Sequence, residues 1–509
     1  MVNLNNSEQR KMGAVLSYVS IIASTLVGLL YTPFLISKLG QSEYGLYSLV
    51  SSIIGYLTVL DLGFGNAIIV YTAKYRATND YEKENRLHGM FKIVYFIIGI
   101  IAALIGFVLY FNVNNMFSRS MNNTELSEMK VMMLILTFNL AITFMFSIYS
   151  SIINAYEKFI FQKLMSILNT ILKPILMIPL LFLGYKSVAM CVVITIVNII
   201  VMLSNYFYCK YKLNVKIKYS GFDKKIFKEI LGYSFFIFLN AIVDKVNWGA
   251  DQFILGIYCG TAAVSVYSVA SQLNQMFINL STAISGTLLP KMSKMVAKDA
   301  TSDELTNEMI KVGRIQYYII FLMASGLVIL GKKFINIWVG STYAEAYYIA
   351  LILIIPVCFP LIQNLGLSII QAMNKYKFKA VCTTIMAGFN IIISVVLAQK
   401  YGAIGAAIGT AISLVVCNIF IMNIYYYKEI KLNVLKFWKD IFIMTIKFIP
   451  PLLVILIIIF FTKLSGVKAF LLYGVIYVAI FSINAYFFIM NEYEKNILNS
   501  ALYKLHLKK

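Results

Sequence analysis

Charge, histidine and cysteine are all scarce in this chain. Asp, Glu, Lys and Arg make up 13% of its 509 residues, about half the share found in a soluble domain, which excludes an ordinary soluble fold. There are two histidines, His88 and His506, both in polar segments. No P-loop, glycine-rich nucleotide fingerprint or HExxH occurs. Neither catalytic chemistry nor a bound cofactor is therefore expected. The six cysteines (Cys191, Cys209, Cys259, Cys358, Cys382, Cys417) show no CxxC spacing. They read as small apolar packing residues, with neither a disulfide framework nor a metal site implied. Long polar loops are also missing, the longest outer one covering 112–131. A membrane polysaccharide polymerase or ligase, which needs a larger aqueous segment for its catalytic groups, is disfavoured on that ground. The first apolar run is too long for a signal-peptide core and no small-residue cleavage site follows it, so it reads as uncleaved.

Apolar residues fill the space, at 60% of the chain. Runs long enough to cross a bilayer as helices recur at 14–37, 44–71, 91–111, 132–153, 161–184, 187–208 and 230–258. A second seven lie at 262–289, 316–331, 346–370, 380–399, 403–426, 441–461 and 469–490. The expected fold class is an all-α integral membrane protein of fourteen transmembrane helices. The net charge of +22 can mark a nucleic-acid binder, but its placement points elsewhere. Most of the 44 Lys and Arg fall on one side when loops are counted alternately. That side holds both termini, the 74–86 loop, the seven lysines of 210–228, the 291–314 loop and 428–439. This is the positive-inside pattern, which puts both termini in the cytoplasm. The basic loops then read as topology signals and contacts for anionic lipid headgroups, with no nucleic acid implied.

One stretch, 39–67, organises the chain. It joins a short turn to a helix spiked by Asp61, and Gly63 and Gly65 follow to weaken the helix there. Its opening Gly40, Tyr47 and Ser48 return as Gly260, Tyr267 and Ser268. Ile153, Ala155, Lys158, Phe159 and Phe161 return as Ile370, Ala372, Lys375, Tyr376 and Phe378, and Gly184 with Ala189 as Gly402 with Ala407. Three matches at nearly one offset indicate an internal repeat. Each repeat has an even number of spans, so the two share one orientation and are parallel. The expected domains are a six-helix bundle over 1–209, a basic cytoplasmic linker over 210–228, a second six-helix bundle over 229–428, and spans 13 and 14 with a tail over 429–509.

Polar residues within spans supply the candidate site. Span 7 carries Asn240, Asp244, Asn247 and Asp251 at offsets 0, 4, 7 and 11, within roughly 60° of helical arc. Span 8 carries Gln272, Gln275 and Asn279 on one face with Ser268 and Thr282. Amides and carboxylates on one face need water or partners, so a cavity is expected there. For the small hydroxylated residues of spans 1 and 2, tight helix packing competes equally. Among in-span ionisable groups, Lys173 precedes the helix-bending Pro174, and Asp244 and Lys245 point about 100° apart. Intramembrane charges are costly and by default functional. Lys173 and Lys245 are expected to contact substrate, and Asp61, Asp244 and Asp251 are candidates for ion coupling. Structural ion pairing between helices is the competing reading.

The Leu39-Gly40-x-x-x-Tyr44-Gly45-Leu46-Tyr47 start of span 2, its Leu60-Asp61-Leu62-Gly63-Phe64-Gly65, the Asp251-x-x-Ile254-Leu255-Gly256 of span 7, Tyr267-x-x-Ala270 and Leu289-Pro290 carry a resemblance. They resemble the polysaccharide-transporter branch of the multidrug/oligosaccharidyl-lipid/polysaccharide exporter superfamily, whose familiar members are Wzx-type O-antigen and capsule repeat-unit flippases. The resemblance implies a V-shaped pair of bundles around a central cavity lined by helices 1, 2, 7 and 8. It also implies export of an undecaprenyl-diphosphate-linked oligosaccharide across a bacterial cytoplasmic membrane by alternating access, with membrane lipids, a polysaccharide polymerase and chain-length machinery as partners. On this reading Lys173, Lys245 and, at the inner mouth, Arg314 meet the diphosphate, while Asn240, Asn247, Gln272, Gln275 and Asn279 meet sugars. One feature departs from the family's cationic cavity: the in-span charges sum to zero. Each negative charge moved outward gains about 2.3 kcal/mol per 100 mV, so membrane potential suffices as the driving force and ion antiport is optional. A flippase for a teichoic-acid or peptidoglycan precursor and a multidrug or cation antiporter of the same superfamily remain alternatives.

Overall fold

The structure, a computed structural model, describes residues 6–219, 223–285, 288–462, 464 and 466–506. The side chain of Asn240 lies outside the described residues. Among the described residues the chain is helical throughout, with no strand. Helices α1 (Asn6–Leu39), α2 (Gln41–Leu57), α3 (Phe64–Ala77), α4 (Tyr81–Phe117), α5 (Asn123–Ala155), α6 (Phe159–Phe182) and α7 (Ser187–Phe207) come first. They are followed by α8 (Lys224–Tyr258), α9 (Thr261–Ser285), α10 (Leu289–Val296), α11 (Ser302–Trp338), α12 (Glu345–Ile362) and α13 (Asn364–Ala372). The chain ends with α14 (Lys377–Leu414), α15 (Met422–Lys428), α16 (Val434–Thr462), α17 (Gly466–Asn484) and α18 (Glu492–His506).

Among the described residues, eleven helical stretches are long and apolar enough to cross a membrane. One of them, Lys377–Lys428, holds two crossings, because Gly402 leaves helical geometry at φ 58°, ψ −137° and turns the chain. Helices α8 and α9, which carry the polar stripes and which the sequence reading counts as spans 7 and 8, are not among the eleven. At 37 residues, α4 and α11 are about 55 Å long, well beyond the roughly 30 Å hydrocarbon core. Their first turns stand outside it and are capped accordingly. Asp80 accepts the Lys83 amide at 3.1 Å, and Thr301 and Glu304 form a reciprocal capping box.

The internal repeat is written into the backbone. Left-handed residues recur in pairs: Gly40 with Gly260, Asn79 with Asp299, Glu157 with Asn374, Gly184 with Gly402, and Asn214 with Lys431. The ends of the matching spans also share a ring pair. Phe161 stacks on Tyr208 at 3.8 Å and 11°, and Phe378 stacks on Tyr425 at 4.2 Å and 11°. Both pairs are separated by 217 residues, the offset of the sequence motif.

By contacts the chain divides into two compact units, 1–269 with 391–406, and 270–390 with 407–509. The contact grouping and the repeat boundary differ: α8 and the start of α9 belong with the first six spans, because α8 packs on α2 and α3. In the first unit Leu46, Leu49, Phe64, Phe91 and Ile148 are fully buried. In the second, Ile349, Leu353, Ile369, Phe437 and Phe448 fill the corresponding role. Large apolar side chains on the outside, such as Leu30, Phe111, Phe182 and Phe461, are mostly exposed, as lipid-facing residues must be.

Candidate functional site

The helix begun by α2 breaks at Asp61, where the sequence predicted weakness. A 3₁₀ turn over Thr58–Asp61 ends in left-handed Leu62 (φ 52°) and Gly63 (φ 75°), and α3 restarts the span. The Asp61 carboxylate accepts the Tyr95 hydroxyl from α4 at 2.8 Å. Asp251 on α8 is buried and accepts the Tyr267 hydroxyl from α9. One residue further along each helix, Gln252 donates to Ser268 at 3.2 Å. Two of the acidic candidates are thus held by tyrosines, partners that the sequence reading did not name. The repeated Tyr267 was the available signal for one of them.

The lysines are placed differently. Lys245 is exposed and lines a cavity of about 200 Å³ with Ser51, Ser52, Tyr56, Trp248 and Gln252. An added Cβ on Gly55 would sit 4.0 Å from its ammonium. Lys173, partly buried on α6, makes no hydrogen bond or ion pair among the described residues. The sequence also carries a stripe that was missed. Gln162, Ser166, Asn169 and Lys173 on α6 repeat the 0, 4, 7, 11 spacing of span 7.

Of the span 7 face, Asp244 is exposed, Asn247 half-buried and Asp251 buried. On α9, Gln275 and Asn279 are exposed and bonded to each other at 2.9 Å, and Gln272 is half-buried. Arg314 is buried in the second unit. Its Nε donates to Glu494 Oε1 at 2.6 Å, Nη1 to Asp440 at 2.9 Å, and Nη2 to Glu494 Oε2 at 3.1 Å and to the Ile489 carbonyl at 3.0 Å. The guanidinium is occupied in tying α16 and α18 to α11.

At the end of the first unit away from the basic loops, α2, α5 and α9 close on one another. Thr261 donates to Glu125 at 2.7 Å and lies 3.1 Å from the Ser42 hydroxyl, which also donates to Glu125. Ser120 donates to the Gly256 carbonyl at 2.6 Å. The approach requires glycine: a Cβ on Gly45 would lie 1.9 Å from the Thr261 carbonyl oxygen. Beside this contact Lys186 pairs with Glu43 at 3.2 Å. Burial pushes the nearby Glu128 carboxyl up, and the Glu43 charge adds in the same sense.

Comparison with known proteins agrees with this architecture. Residues 11–296 match the family described as polysaccharide biosynthesis protein. The chain is 23% identical over 413 residues to a putative O-antigen transporter of Shigella flexneri, covering 79% of this chain and 94% of that one. It is 26% identical over 235 residues to the capsular polysaccharide biosynthesis protein CapF of Staphylococcus aureus, covering 45% and 57%. Among solved structures, the lipid II flippase MurJ in an inward closed conformation superposes with a TM-score of 0.72 at 18% identity, covering 94% and 98%. An inward-facing MATE multidrug transporter superposes at 0.66 and 12% identity, covering 78% and 96%. The chain therefore belongs to the polysaccharide biosynthesis protein family, as a multi-pass membrane protein.

Proposed function

We propose that this protein is a flippase that moves an undecaprenyl-diphosphate-linked oligosaccharide, an O-antigen or capsular repeat unit, from the inner to the outer leaflet of a bacterial cytoplasmic membrane. The observation that carries the reading is the unequal treatment of in-span charges. Asp61 and Asp251 accept hydrogen bonds from tyrosines, whereas Lys173 and Lys245 have no carboxylate within ion-pair distance among the described residues. The formal charge of the spans sums to zero, but Lys173 and Lys245 are cations left for a ligand. An ammonium within a span is costly unless an anion meets it, and a diphosphate is such an anion. Moving about two negative charges outward gains roughly 4–5 kcal/mol per 100 mV with the interior negative, so the potential drives export. Both termini are cytoplasmic on this reading, as the basic loops require. The similarity to MurJ and to the O-antigen transporter supports the substrate class.

The test is transbilayer movement of a fluorescent undecaprenyl-diphosphate-linked glycan in proteoliposomes, read beside membrane protein level. Lys173→Ala and Lys245→Ala are expected to abolish movement at normal protein level, and Lys173→Arg to retain much of it. Full movement by the Lys173→Ala, Lys245→Ala double variant at normal level would refute the assignment.

A further inference from the structure

The first unit holds a second polar cavity, of about 300 Å³, between the basic-side ends of α5, α6 and α7. Helices α5 and α6 both pack on α7 and scarcely on each other, so a gap opens where their ends diverge. Six of its lining side chains are polar and neutral: Ser150, Gln162, Ser166, Asn169, Thr170 and Asn205. Met165 and Val201 complete the wall, and no charged group among the described residues lines it. The volume equals roughly ten waters at about 30 Å³ each, room for one pyranose ring with its hydroxyls and far more than a single ion needs.

The amides are pre-set for recognition. Asn169 donates through Nδ2 to Asn198 Oδ1 at 3.0 Å, and Asn198 donates to Asn139 Oδ1 at 3.3 Å. This chain fixes the Asn169 amide and leaves its carbonyl oxygen without a protein partner among the described residues. The Asn205 side chain makes no hydrogen bond to protein among the described residues. Gln162 reaches Ser150 only at 3.4 Å. Buried or half-buried amides of this kind need partners, and sugar hydroxyls, each both donor and acceptor, provide them.

The second half of the chain is an internal control. At the 217-residue offset set by the two stacked ring pairs, Gln162, Asn169, Thr170 and Asn205 correspond to Lys379, Met386, Ala387 and Met422. Asn139 and Asn198 correspond to Pro356 and Val415, and Ser150 to Leu367. Ser166 keeps a hydroxyl, as Thr383, and the Gln162 amide is replaced by the Lys379 ammonium. The same helical framework is therefore built without these amides, so folding alone does not require them in the first half. We propose that this cavity is a subsite for one neutral pyranose residue of the transported glycan. The proposal rests on the flippase reading and adds the part of the substrate that the first bundle holds.

The experiment is photolabelling of the full-length protein, purified in lauryldimethylamine oxide so that no detergent carries a sugar headgroup. Three probes bear the same diazirine tag: a methyl hexopyranoside, an alkyl phosphate and a plain alkane. The pyranoside is expected to label peptides of α6 and α7 around Asn169 and Asn205, and excess untagged methyl hexopyranoside is expected to suppress that labelling. Asn169→Met with Asn205→Leu is expected to reduce it about tenfold, the effect of losing two hydrogen-bonding amides. If the double variant fails to fold, Asn205→Leu alone serves, because that side chain supports no protein hydrogen bond. Equal labelling by the alkane identifies a lipid crevice and overturns the proposal, as does stronger labelling by the phosphate. Pyranoside labelling that is neither suppressed nor reduced in the variants overturns it too. Glycan movement without pyranoside labelling refutes the subsite and leaves the flippase reading standing. Labelling without glycan movement does the reverse.

Discussion

The Arg314 cluster allows a prediction that separates a structural arginine from a substrate-binding one. Glu494 has a side chain only 3% exposed and Arg314 one 11% exposed, so their pair is shielded from solvent screening. Glu494 also accepts the Tyr318 hydroxyl at 3.0 Å. Replacing Glu494 by Ala removes both Arg314–Glu494 bonds and leaves the guanidinium with Asp440, the Tyr318 hydroxyl and the Ile489 carbonyl. Removing one partner of a buried pair costs about 3–5 kcal/mol. Because Glu494 lies in the first turn of α18, that cost is felt as release of this helix from α11 and α16. At about 1.4 kcal/mol per decade, the opening equilibrium of α18 should rise roughly 10²–10⁴-fold. Hydrogen–deuterium exchange of peptides covering 492–506 in nanodiscs measures this directly. Arg314→Met with Glu494→Leu, which exchanges the pair for apolar packing, is expected to recover most of the protection. Glycan movement is expected to persist in that double variant. Unchanged exchange in Glu494→Ala, or lost movement with α18 still protected in Arg314→Met, would refute the reasoning and return Arg314 to the substrate path.

Three further outcomes follow from the same structure. Gly45→Ala should lower thermal stability by about 1–3 kcal/mol and expose a cysteine placed at Thr261 to an impermeant thiol reagent. Gly388→Ala, whose Cβ meets nothing within 4 Å, should be neutral or slightly stabilising. Asp61→Ala should reduce protein level, because the Tyr95 hydroxyl loses its acceptor at a cost of about 1–3 kcal/mol. Asp61→Asn should preserve level, and transport by Asp61→Asn then reports whether the carboxylate also carries a coupling ion. Reporter fusions should place the 210–228 linker and both termini in the cytoplasm; an external signal from the linker would overturn the parallel repeat.

Much of the architecture was legible in one dimension, because the bilayer reads the chain locally. The helical, membrane-crossing character follows from the length of apolar runs, and an expected orientation from where lysines sit between them. The repeat was equally visible, since the turn residues that need left-handed backbone, Gly40 and Gly260 or Gly184 and Gly402, cannot drift far without losing the turn. The break at Asp61 was foreshadowed by two glycines next to it. What the sequence could not decide was partnership across the fold. Arg314 looked like an inner-mouth cation because Glu494, its acceptor, is 180 residues away. Asp61 and Asp251 read as ion-coupling or ion-paired carboxylates, and only the fold shows Tyr95 and Tyr267 donating to them from neighbouring helices. The α6 stripe had the spacing of the span 7 stripe, yet only the divergence of α5, α6 and α7 turns it into a cavity, and only the second half of the chain shows that folding does not require it. Helix formation and membrane crossing depend on residues within one segment. The fate of a buried polar group depends on which segment packs beside it, and that is settled by tertiary structure.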